Sequence, residues 1–513
     1  MIPPPLKEKY RTLGYWGPET IPARFWRVCE ENASRVAIID GRRSLSFAVV
    51  VELASRLAGQ FTALGAGPGV VVSWQLPGWW ESVVVHHAAL LCGAIPNPLN
   101  PIFRVRDLRF ILEEARPRIL VVPQSFRGFD HATLATELRA RVSSIEHIIV
   151  VRGGAPGALS LEHLLEEDTA SFETPAHPSV TALLLYTSGT TADPKGVLHT
   201  HETLLYEIDS LRDVHELKSS DRYLAGSPVA HIAGLVYGVL MPFALGTSTV
   251  LMERWDAAAA MRLVSEHRAT FQTGAPAFLL QLAEHAGAAD GSSFRLFSTG
   301  GASIPTASVA DAAARLGCIV KRAYGSTEVP TLTATRYTDP EEIRVGSDGR
   351  VISPAEMRIV DGEIWARSPE LFLGYLNPEL NAASFDDEGW FRTGDLGSID
   401  TDGNLRVTGR LKDIIIRGGE NISAKEIEDL LLTHPAVLEA AVVGLPDPIL
   451  GERACAVVVL RQGSAFSFDE MVAFLAAHEL AKQKFPERLE IRLELPRTAS
   501  GKVLKAEIRQ ELG

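Results

Sequence analysis

Four hydroxyl side chains, two glycines and a lysine follow an apolar stretch in the segment YTSGTTADPKGV, residues 186–197. Glycines let a backbone approach phosphate oxygens closely, and successive N–H groups form a concave site for anions. The hydroxyls add hydrogen-bond donors, and the lysine adds a positive charge. The segment therefore predicts a phosphate-binding loop, with the candidate contacts Thr187, Ser188, Gly189, Thr190, Thr191 and Lys195.

The Walker A phosphate loop has the pattern Gly-x-x-x-x-Gly-Lys-Ser/Thr and leads directly into a helix. This segment departs from it, because Pro194 stands where the second glycine belongs and Gly196 where the hydroxyl residue belongs. The following GVLHT is strand-like, and a helix is expected only from His201, with Thr200 as N-cap. The loop is therefore predicted to cover phosphates rather than to hold them at a helix N-terminus. The segment alone leaves open the alternative of a surface hairpin made of small residues.

Helix and strand patterns alternate in the part of the chain that must position this loop. TALLLY (181–186), GVVVSWQL (69–76) and EHIIVV (146–151) read as buried strands. SFAVVVELASRLAGQFTAL has apolar residues at helical spacing, with Ser46 as the expected N-cap. This alternation predicts an α/β fold with helices on the faces of parallel sheets. A chain of 513 residues is also expected to form two or more domains.

A compact α+β module of different texture is predicted at the end of the chain. Two of its helices are expected to begin with capping boxes, which pair Ser423 with Glu426 and Ser467 with Glu470. Its length of roughly a hundred residues is typical of a domain. The predicted domains are residues 1–410 and residues 411–513.

Composition narrows the class of protein. Lysine and arginine total 50 and aspartate and glutamate total 63, a formal charge of −13. This argues against a nucleic-acid partner, which requires a basic surface, but allows a local basic site for an anionic substrate. The four cysteines form no Cys-x-x-Cys pair, as expected in a reducing cytosol. No apolar signal segment opens the chain, and the longest apolar run, IAGLVYGVLMPFAL, predicts a buried helix. We therefore expect a cytoplasmic protein without a transmembrane segment.

The segment YTSGTTADPKGV resembles the phosphate loop of the adenylate-forming superfamily of acyl-CoA synthetases, peptide-synthetase adenylation domains and luciferases. Ala192 departs from the glycine usual there, which leaves the hydroxyls and the lysine intact. Further motifs of that family follow in its order, so the resemblance runs from Tyr186 almost to the end of the chain. They are SPVAHIAG (227–234), STGGASIP (298–305), YGSTE (324–328), RTGDL (392–396), GRLKDIIIRGGENISAKEIE (409–428) and PRTASGKVLK (496–505).

This resemblance implies a large N-terminal domain of stacked α/β sheets and a smaller, mobile C-terminal domain. It also implies ATP and Mg²⁺, because a carboxylate attacks the α-phosphate to give acyl-AMP and pyrophosphate. Two anions must then meet, so the site needs cations aimed at the developing charge. Lys502 matches the lysine that bridges the two anions, and Glu328 matches the residue that holds Mg²⁺ on the phosphates. The implied catalytic residues are Lys502, Glu328, Thr327 and Lys195, with Glu328 as the metal ligand.

The family's nucleotide and acid contacts also map onto this chain. Asp395 matches the residue that accepts from both ribose hydroxyls, and Arg410 matches the residue that supports the same sugar. Tyr324 matches the ring that stacks on adenine. For Asp395 and Arg410, the alternative is an ordinary ion pair at the surface. Further nucleotide contacts implied in this way are Gly300, Gly301, Ala302, Gly325 and Ser326. The implied acid contacts are His231, Ala233, Gly301 and Gly325; an ordinary core histidine is an equal alternative for His231, and His199 and His201 are interpreted as structural.

The family runs a second half-reaction by swinging its small domain. Lys412 matches the hinge residue, and Gly418 with Gly419 matches the loop that lets the pantetheine arm of CoA pass. CoA is therefore the expected acceptor, and an amine or a carrier protein is the alternative. A non-catalytic nucleotide-binding protein is the alternative from another class. Either a monomer or a homodimer is compatible with the sequence.

The chemical class of the acid is predicted from the absence of a carboxylate in its expected pocket. HIAGLVYGV (231–239) contains no carboxylate that could hold an α-ammonium group, whose unpaired burial would cost several kcal/mol. A compact, uncharged acid, cyclic or medium-chain, is therefore expected rather than an amino acid. KYRTLGYWG (9–17) and QLPGWWE (75–81) also resemble a subgroup with cyclohexanecarboxylate–CoA ligases and dihydroxybenzoate-activating enzymes.

Overall fold

A nine-stranded sheet lies at the centre of the large domain. The structure is a computed structural model that describes residues 2–41, 43–167, 171–174, 177–187, 194–301, 304–498 and 501–513. The six inner strands of the sheet are parallel. Arg43–Ser46 is antiparallel to them at one edge, and at the other edge Thr333–Ala334 is antiparallel both to its inner neighbour and to Arg350–Val351. In spatial order the strands are Arg350–Val351, Thr333–Ala334, Ile319–Tyr324, Leu296–Gly300, Phe271–Gly274, Arg222–Ala225, Ser248–Leu251, Val36–Asp40 and Arg43–Ser46.

A second sheet is parallel throughout and shares a core with the first. One hydrophobic cluster takes residues from both sheets, for example Ile38 and Val72, together with helices Phe47–Ala63 and Trp80–Leu91 between them. Every residue of Trp80–Leu91 is buried, including the polar residues Glu81, His86 and His87. The strands of this sheet are, in spatial order, Ile95–Pro98, Val71–Trp74, Ile119–Pro123, His147–Val151 and Leu159–Ser160.

Two smaller antiparallel sheets and one two-stranded hairpin complete the large domain. The first joins Thr181–Tyr186, Gly196–Thr200 and Gly374–Tyr375 in that spatial order. A two-stranded hairpin pairs Ser125–Phe126 with Phe129–Asp130. The strands of the second sheet are Glu356–Val360, Glu363–Arg367, Phe391–Ile399 and Leu405–Arg410.

A 3-10 turn, Leu411–Asp413, connects the last of these strands to the sheet of the small domain. That sheet has the strand order Glu420–Ser423, Ile414–Arg417, Gly451–Leu460, Val437–Asp447, with Arg488–Arg492 parallel to Gly451–Leu460. A core of its own, which includes Ile415 and Val458, lies beneath the sheet. The expected α/β architecture, with a large N-terminal and a smaller C-terminal domain, is confirmed.

Helices cover the sheets and connect their strands. Those of the large domain are Pro4–Thr12, Ile21–Glu31, Phe47–Ala63, Trp80–Leu91, Val105–Ala115, His131–Arg139, Leu161–Glu166, His201–Val214, Ile232–Leu235, Met241–Leu245, Ala257–His267, Pro276–Glu284, Thr306–Leu316, Glu341–Gly346 and Glu379–Ser384, with a π-helical segment at Val236–Leu240. Those of the small domain are Ala424–Leu431, Phe468–Ala477 and Lys505–Leu512, with a 3-10 turn at Lys482–Lys484.

Most predicted local signals are confirmed, and one is corrected. The Ser46 and Thr200 side chains cap their helices as expected, and Ser467 forms the full capping box with Glu470. The capping box of Ser423 is only half present: its hydroxyl accepts the Glu426 N–H, but the Glu426 carboxylate does not return to the cap. That carboxylate instead accepts from the ammonium group of Lys484, at 2.7 and 2.9 Å. A charge-assisted bond to a cation is stronger than one to a neutral N–H, which explains the difference.

The apolar run IAGLVYGVLMPFAL forms a buried and irregular helix. Its middle turn, Val236–Leu240, is π-helical, a feature that often marks functional sites. No helix in the described ranges is both long enough and apolar enough to cross a membrane.

Candidate active site

The central sheet brings several predicted site residues to one edge. Strands Leu296–Gly300 and Ile319–Tyr324 are parallel neighbours, so both end at the same side of the sheet. Gly301 follows the first strand, and Gly325 follows the second. Ligands of open parallel sheets bind at the carboxyl ends of the strands, so this edge is where a site is expected.

Two of these glycines leave no room for a side chain. A Cβ on Gly300 would lie 2.2 Å from the carbonyl oxygen of Ala323, and a Cβ on Gly325 would lie 1.9 Å from that of Pro330. Any larger residue would have to displace backbone, which makes both positions structurally obligatory. Their glycines shape the site whether or not they contact a ligand.

Tyr324, Asp395 and Arg410 form one hydrogen-bonded group. The phenol of Tyr324 donates to Oδ2 of Asp395 at 2.8 Å, and the Arg410 guanidinium lies 3.0 Å from Oδ1. Asp395 and Arg410 are paired across the neighbouring strands Phe391–Ile399 and Leu405–Arg410. The carboxylate is buried, so it is held more firmly than in a surface ion pair.

The turn that carries Thr327 and Glu328 is held from several sides. Ser326 closes it, because its Oγ accepts the backbone N–H groups of Glu328 and Val329, at 3.2 and 3.3 Å. The phenol of Tyr375 donates to Oε1 of Glu328 at 2.8 Å. Nε2 of His199 lies 2.8 Å from the carbonyl oxygen of Thr327. A carbonyl can only accept, so Nε2 of His199 carries the proton.

Only the two ends of the predicted phosphate loop lie within the described residues. These ends belong to two antiparallel strands, with Tyr186 opposite Gly196, and the helix that follows the second strand begins at His201. Thr187 donates its N–H to the carbonyl oxygen of Lys195 at 3.0 Å, which closes the base of the hairpin. The ammonium group of Lys195 lies 4.9 Å from the centre of the Tyr375 ring. The predicted contacts outside the described residues are Ser188, Gly189, Thr190, Thr191 and Ala302.

Lys502, from the small domain, reaches this edge of the large domain. A Cβ on Gly301 would lie 3.2 Å from Cε and 3.7 Å from Nζ of Lys502. Gly301 also has φ +79°, a conformation that other residues rarely adopt. Burial, followed by the charge of Arg410, lowers the pKa of Lys502 to about 8, whereas the carboxylates of Asp395 and Glu328 oppose this shift. The lysine therefore lies among the charged groups that the sequence assigned to the nucleotide.

His231 and Ala233 lie at the start of the irregular helix, and both are half-buried. Burial, followed by the charge of Lys502, lowers the pKa of His231 to about 3, so its imidazole is neutral at physiological pH. A Cβ on Gly234 would meet the carbonyl oxygen of Pro228 at 2.1 Å, which shows how tightly the backbone folds here. The charge of Lys502 thus opposes protonation of the His231 imidazole.

The predicted hinge and CoA residues lie in the small domain. Lys412 is the middle residue of the Leu411–Asp413 turn. Gly418 and Gly419 form the two-residue turn of a hairpin, because Arg417 pairs with Glu420. Both glycines have positive φ, +58° and +89°, as the commonest two-residue hairpin turn requires. All three positions are exposed.

Sequence comparison now identifies the class of protein. The profile described as AMP-binding enzyme matches residues 25–376, and the profile described as AMP-binding enzyme C-terminal domain matches residues 426–502. The chain belongs to the AMP-binding enzyme family. It is therefore an adenylate-forming enzyme of the ligase type, and the expected superfamily is confirmed.

Relatives of this AMP-binding enzyme use different acids and acceptors. The chain is 34% identical to the medium-chain fatty-acid–CoA ligase of Escherichia coli (strain K12), over 98% of this chain and 92% of that protein. It is similar to the anthranilate CoA ligase AuaEII in complex with anthranoyl-AMP, with TM-score 0.87, 26% identity, and coverage of 96% and 97% of the two chains. It is also similar to the amide bond synthetase McbA from Marinactinospora thermotolerans, with TM-score 0.85, 28% identity, and coverage of 96% and 100%.

The donor set of this AMP-binding enzyme fits a Mg²⁺ ion that is bound mainly through phosphates. No cluster of three or more His, Cys, Asp or Glu occurs among the residues that the structure describes, so it offers no all-protein metal cage. Oε1 of Glu328 accepts from Tyr375, and its second oxygen remains to bind a cation. Mg²⁺ is typically bound by one or two carboxylates together with waters and substrate phosphates. The Glu328 position therefore fits that ion.

Sequence reasoning missed two residues that hold the site. Tyr375 fixes the Glu328 carboxylate, but it lies 47 residues further along the chain and no motif spacing connects the two. His199, interpreted as structural, positions Thr327 through its carbonyl oxygen. His199 lies on the strand that follows the predicted phosphate loop, where alternate side chains face the same side. This position was the only sign in the sequence that His199 faces inward.

Proposed function

We propose that this enzyme transfers the AMP group of Mg²⁺-bound ATP to a cyclic or medium-chain carboxylic acid, with release of pyrophosphate, and then transfers the acyl group to CoA, with release of AMP. The observation that supports this best is the position of Lys502 at Gly301, beside the groups of Asp395 and Glu328. A lysine from a separate domain, partly buried among the proposed nucleotide contacts, is suited to stabilise the negative charge that develops when two bound anions react. The boundary after residue 410 is proposed because the Leu411–Asp413 turn connects the last strand of the large domain to the sheet of the small domain.

In the first half-reaction the acid's carboxylate oxygen attacks the α-phosphorus of ATP, and pyrophosphate leaves with the electron pair of the broken P–O bond. Asp395 accepts from the ribose hydroxyls, and Tyr324 provides the adenine platform. Glu328 would hold Mg²⁺, which would supply positive charge at the phosphates, while Lys195 and the hydroxyls of the phosphate loop contact the outer phosphates. The ammonium group of Lys502 and the Thr327 hydroxyl stabilise the negative charge that develops at the α-phosphate.

In the second half-reaction the small domain rotates about Lys412 and removes Lys502 from the site. The hairpin turn at Gly418 and Gly419 then faces the adenylate, and its lack of side chains leaves a passage for the pantetheine arm. The thiolate of CoA attacks the acyl carbonyl, and AMP leaves. Hinges of this kind are a few positions that absorb large changes in φ and ψ, as a short connecting turn can.

A panel of acids and acceptors tests both the acid and the acceptor. Because His231 is neutral and HIAGLVYGV contains no carboxylate, cyclohexanecarboxylate, octanoate or benzoate should release pyrophosphate with a higher kcat/KM than phenylalanine. Each acid is measured with CoA and, separately, with an amino acid as acceptor, and the product is identified by mass. The highest kcat/KM with phenylalanine would contradict the pocket argument.

The similarity to an amide bond synthetase supports a second candidate. In that case the same adenylation is followed by attack of an amine, and product appears only with the amino acid acceptor. The absence of acid-dependent pyrophosphate release with every acid would instead favour a non-catalytic nucleotide-binding protein.

The pH dependence of adenylation tests the role of Lys502 independently. Its folded-state pKa, about 8, lies below the usual value for lysine, so the charged form is lost as pH rises through and beyond 8. At limiting ATP and a fixed low concentration of acid, kcat/KM for ATP, which reports ionisations of the enzyme before ATP binds, should fall about tenfold per pH unit on that alkaline side. The Lys502→Arg variant should lack this limb, because a guanidinium stays charged. His231 should add no limb near pH 6.5, since its pKa is about 3.

A further inference from the structure

Two carboxyl groups are buried behind the turn that carries Thr327 and Glu328. Glu207, in helix His201–Val214, is 1% exposed, and Glu370, after strand Glu363–Arg367, is 2% exposed. No lysine or arginine of the described residues forms an ion pair with either one. Burying two unpaired carboxylates costs several kcal/mol for each charge, so this arrangement needs another source of neutrality.

The hydrogen bonds of the pair leave one oxygen free on each side. The hydroxyl of Thr331 donates to Oε1 of Glu207 at 2.7 Å, and the hydroxyl of Ser368 donates to Oε2 of Glu370. Oε2 of Glu207 and Oε1 of Glu370 are buried without a partner. One proton between two such carboxyl groups provides the missing donor and removes one charge, as in other carboxyl pairs that share a site.

The electrostatics agree with a retained proton. Burial, followed by the charge of Glu370, raises the pKa of Glu207 to about 8, and burial likewise raises the pKa of Glu370. The pair therefore keeps a proton near neutral pH and loses it in alkaline solution.

The segment KYRTLGYWG, whose role the sequence left unexplained, covers this pair. Nε1 of Trp16 donates to the carbonyl oxygen of Pro369 at 3.0 Å, next to Glu370. The side chain of Tyr10 is 1% exposed, and the charge of Glu370 adds to burial in raising its pKa. The segment thus keeps water from the two carboxyl groups.

Near the pair, the described groups other than Glu207 and Glu370 either keep one protonation state or titrate alike in every variant. Lys321, which donates to the carbonyl oxygen of Val214 at the end of helix His201–Val214, has its pKa lowered to about 7 by burial, and its titration is common to all variants. Burial raises the pKa values of Tyr10, Tyr206 and Tyr237, which feel the charge of Glu207 or Glu370 and stay protonated. The charged side chains of the neighbouring elements pair with each other, Arg11 with Glu202 and Arg367 with Glu356.

We propose that Glu207 and Glu370 share one proton and thereby position the turn of Thr327 and Glu328 for the nucleotide and its Mg²⁺. Glu207 holds Thr331, three residues beyond Glu328. Two residues beyond Glu370, Phe372 donates its N–H to the carbonyl oxygen of Glu328 at 2.8 Å. When the shared proton is lost, both carboxyl groups are negatively charged in low-dielectric surroundings. Their repulsion moves Thr331 and Phe372, which support the turn, away from each other. The inference rests on the proposed function, since it assigns nucleotide binding to that turn.

ATP affinity in a Lys502→Ala background tests this proposal, because that background removes the alkaline effect of Lys502 itself. The affinity for ATP with Mg²⁺ is measured by calorimetry at pH 6.5 and pH 9. With Glu207 and Glu370 intact, Kd should rise about fivefold or more between the two pH values, the lower end of usual coupling between sites. With Glu207→Gln or Glu370→Gln added, the change should disappear, because the amide supplies a permanent donor and does not lose a proton. Glu146→Gln, in an exposed ion pair with Arg118, is the matched control and should behave like the background.

Thermal unfolding of the same variants separates positioning from a purely structural role. A carboxyl group whose folded pKa is raised stabilises the fold below its unfolded pKa, and this contribution is lost as pH rises through the folded value. The Tm of the background should therefore fall more between pH 6.5 and pH 9 than the Tm of Glu207→Gln. If only Tm responded and ATP affinity did not, positioning of the turn would be overturned. If neither responded, the shared proton would be overturned. Failure of the enzyme with Lys502 intact to bind ATP at pH 6.5 would overturn the proposed function, while Tm would still report on the proton.

Discussion

Replacing Lys502 with alanine is expected to lower acid-dependent pyrophosphate release by roughly 10²–10³-fold, about 2.7–4 kcal/mol of lost transition-state stabilisation. The ammonium group lies beside Gly301 and among the charges of Asp395, Glu328 and Arg410. Negative charge would develop there on the oxygens of a pentacoordinate α-phosphorus. Removing it takes away a donor that the fold positions before the reaction begins.

The second half-reaction distinguishes this role from general damage. When synthetic acyl-AMP and CoA are supplied, the Lys502→Ala variant should form thioester at close to the normal rate, because the small domain is proposed to move the lysine away before this step. Lys482→Ala, at an exposed lysine of the same domain, is the matched control and should leave both half-reactions unchanged. Equal loss in both half-reactions would contradict the two-pose assignment.

Replacing Asp395 with alanine is expected to reduce kcat/KM for ATP by roughly 10²-fold, with little effect on the KM of the acid. A hydrogen bond to a charged group contributes about 1.5–3 kcal/mol, and two ribose hydroxyls are proposed to bind this carboxylate. The change also leaves the Arg410 guanidinium and the Tyr324 phenol without their common partner, because both are bonded to Asp395.

Tyr324→Phe is the matched variant for this prediction. It removes one donor to Asp395 and keeps the ring and the carboxylate, so kcat/KM for ATP should fall only about tenfold or less. Initial rates at varied ATP and fixed acid, together with Tm, provide the measurement. A larger defect in Tyr324→Phe than in Asp395→Ala would place the nucleotide contact on the phenol rather than on the carboxylate.

Much of the local structure could be predicted because it depends on neighbouring residues. Ser46, Thr200 and Ser467 cap their helices through bonds that span three residues, and the apolar runs locate the buried strands. The capping box at Ser423 was half wrong for the opposite reason. Lys484, 58 residues further along the chain, binds the Glu426 carboxylate, and no local pattern reveals such a competitor.

The same difference between local and long-range contacts explains which parts of the candidate site could be predicted. The motifs around Tyr324, Asp395 and Lys502 identified the family and proposed residue roles, but they carried no information on which of these residues meet. Tyr375, His199 and the pair of Glu207 and Glu370 had no signature, because each acts through a partner that is distant along the chain.

By itself, then, the sequence determined the family, the reaction class it implies and the order of the elements, since these depend on residue types at fixed spacing. The tertiary structure alone decided that Lys502 of one domain lies against Gly301 of the other, and that Tyr375 holds Glu328. It also decided the protonation of the buried groups, from His231 to Glu207, because a pKa depends on burial and on charges that only folding brings together.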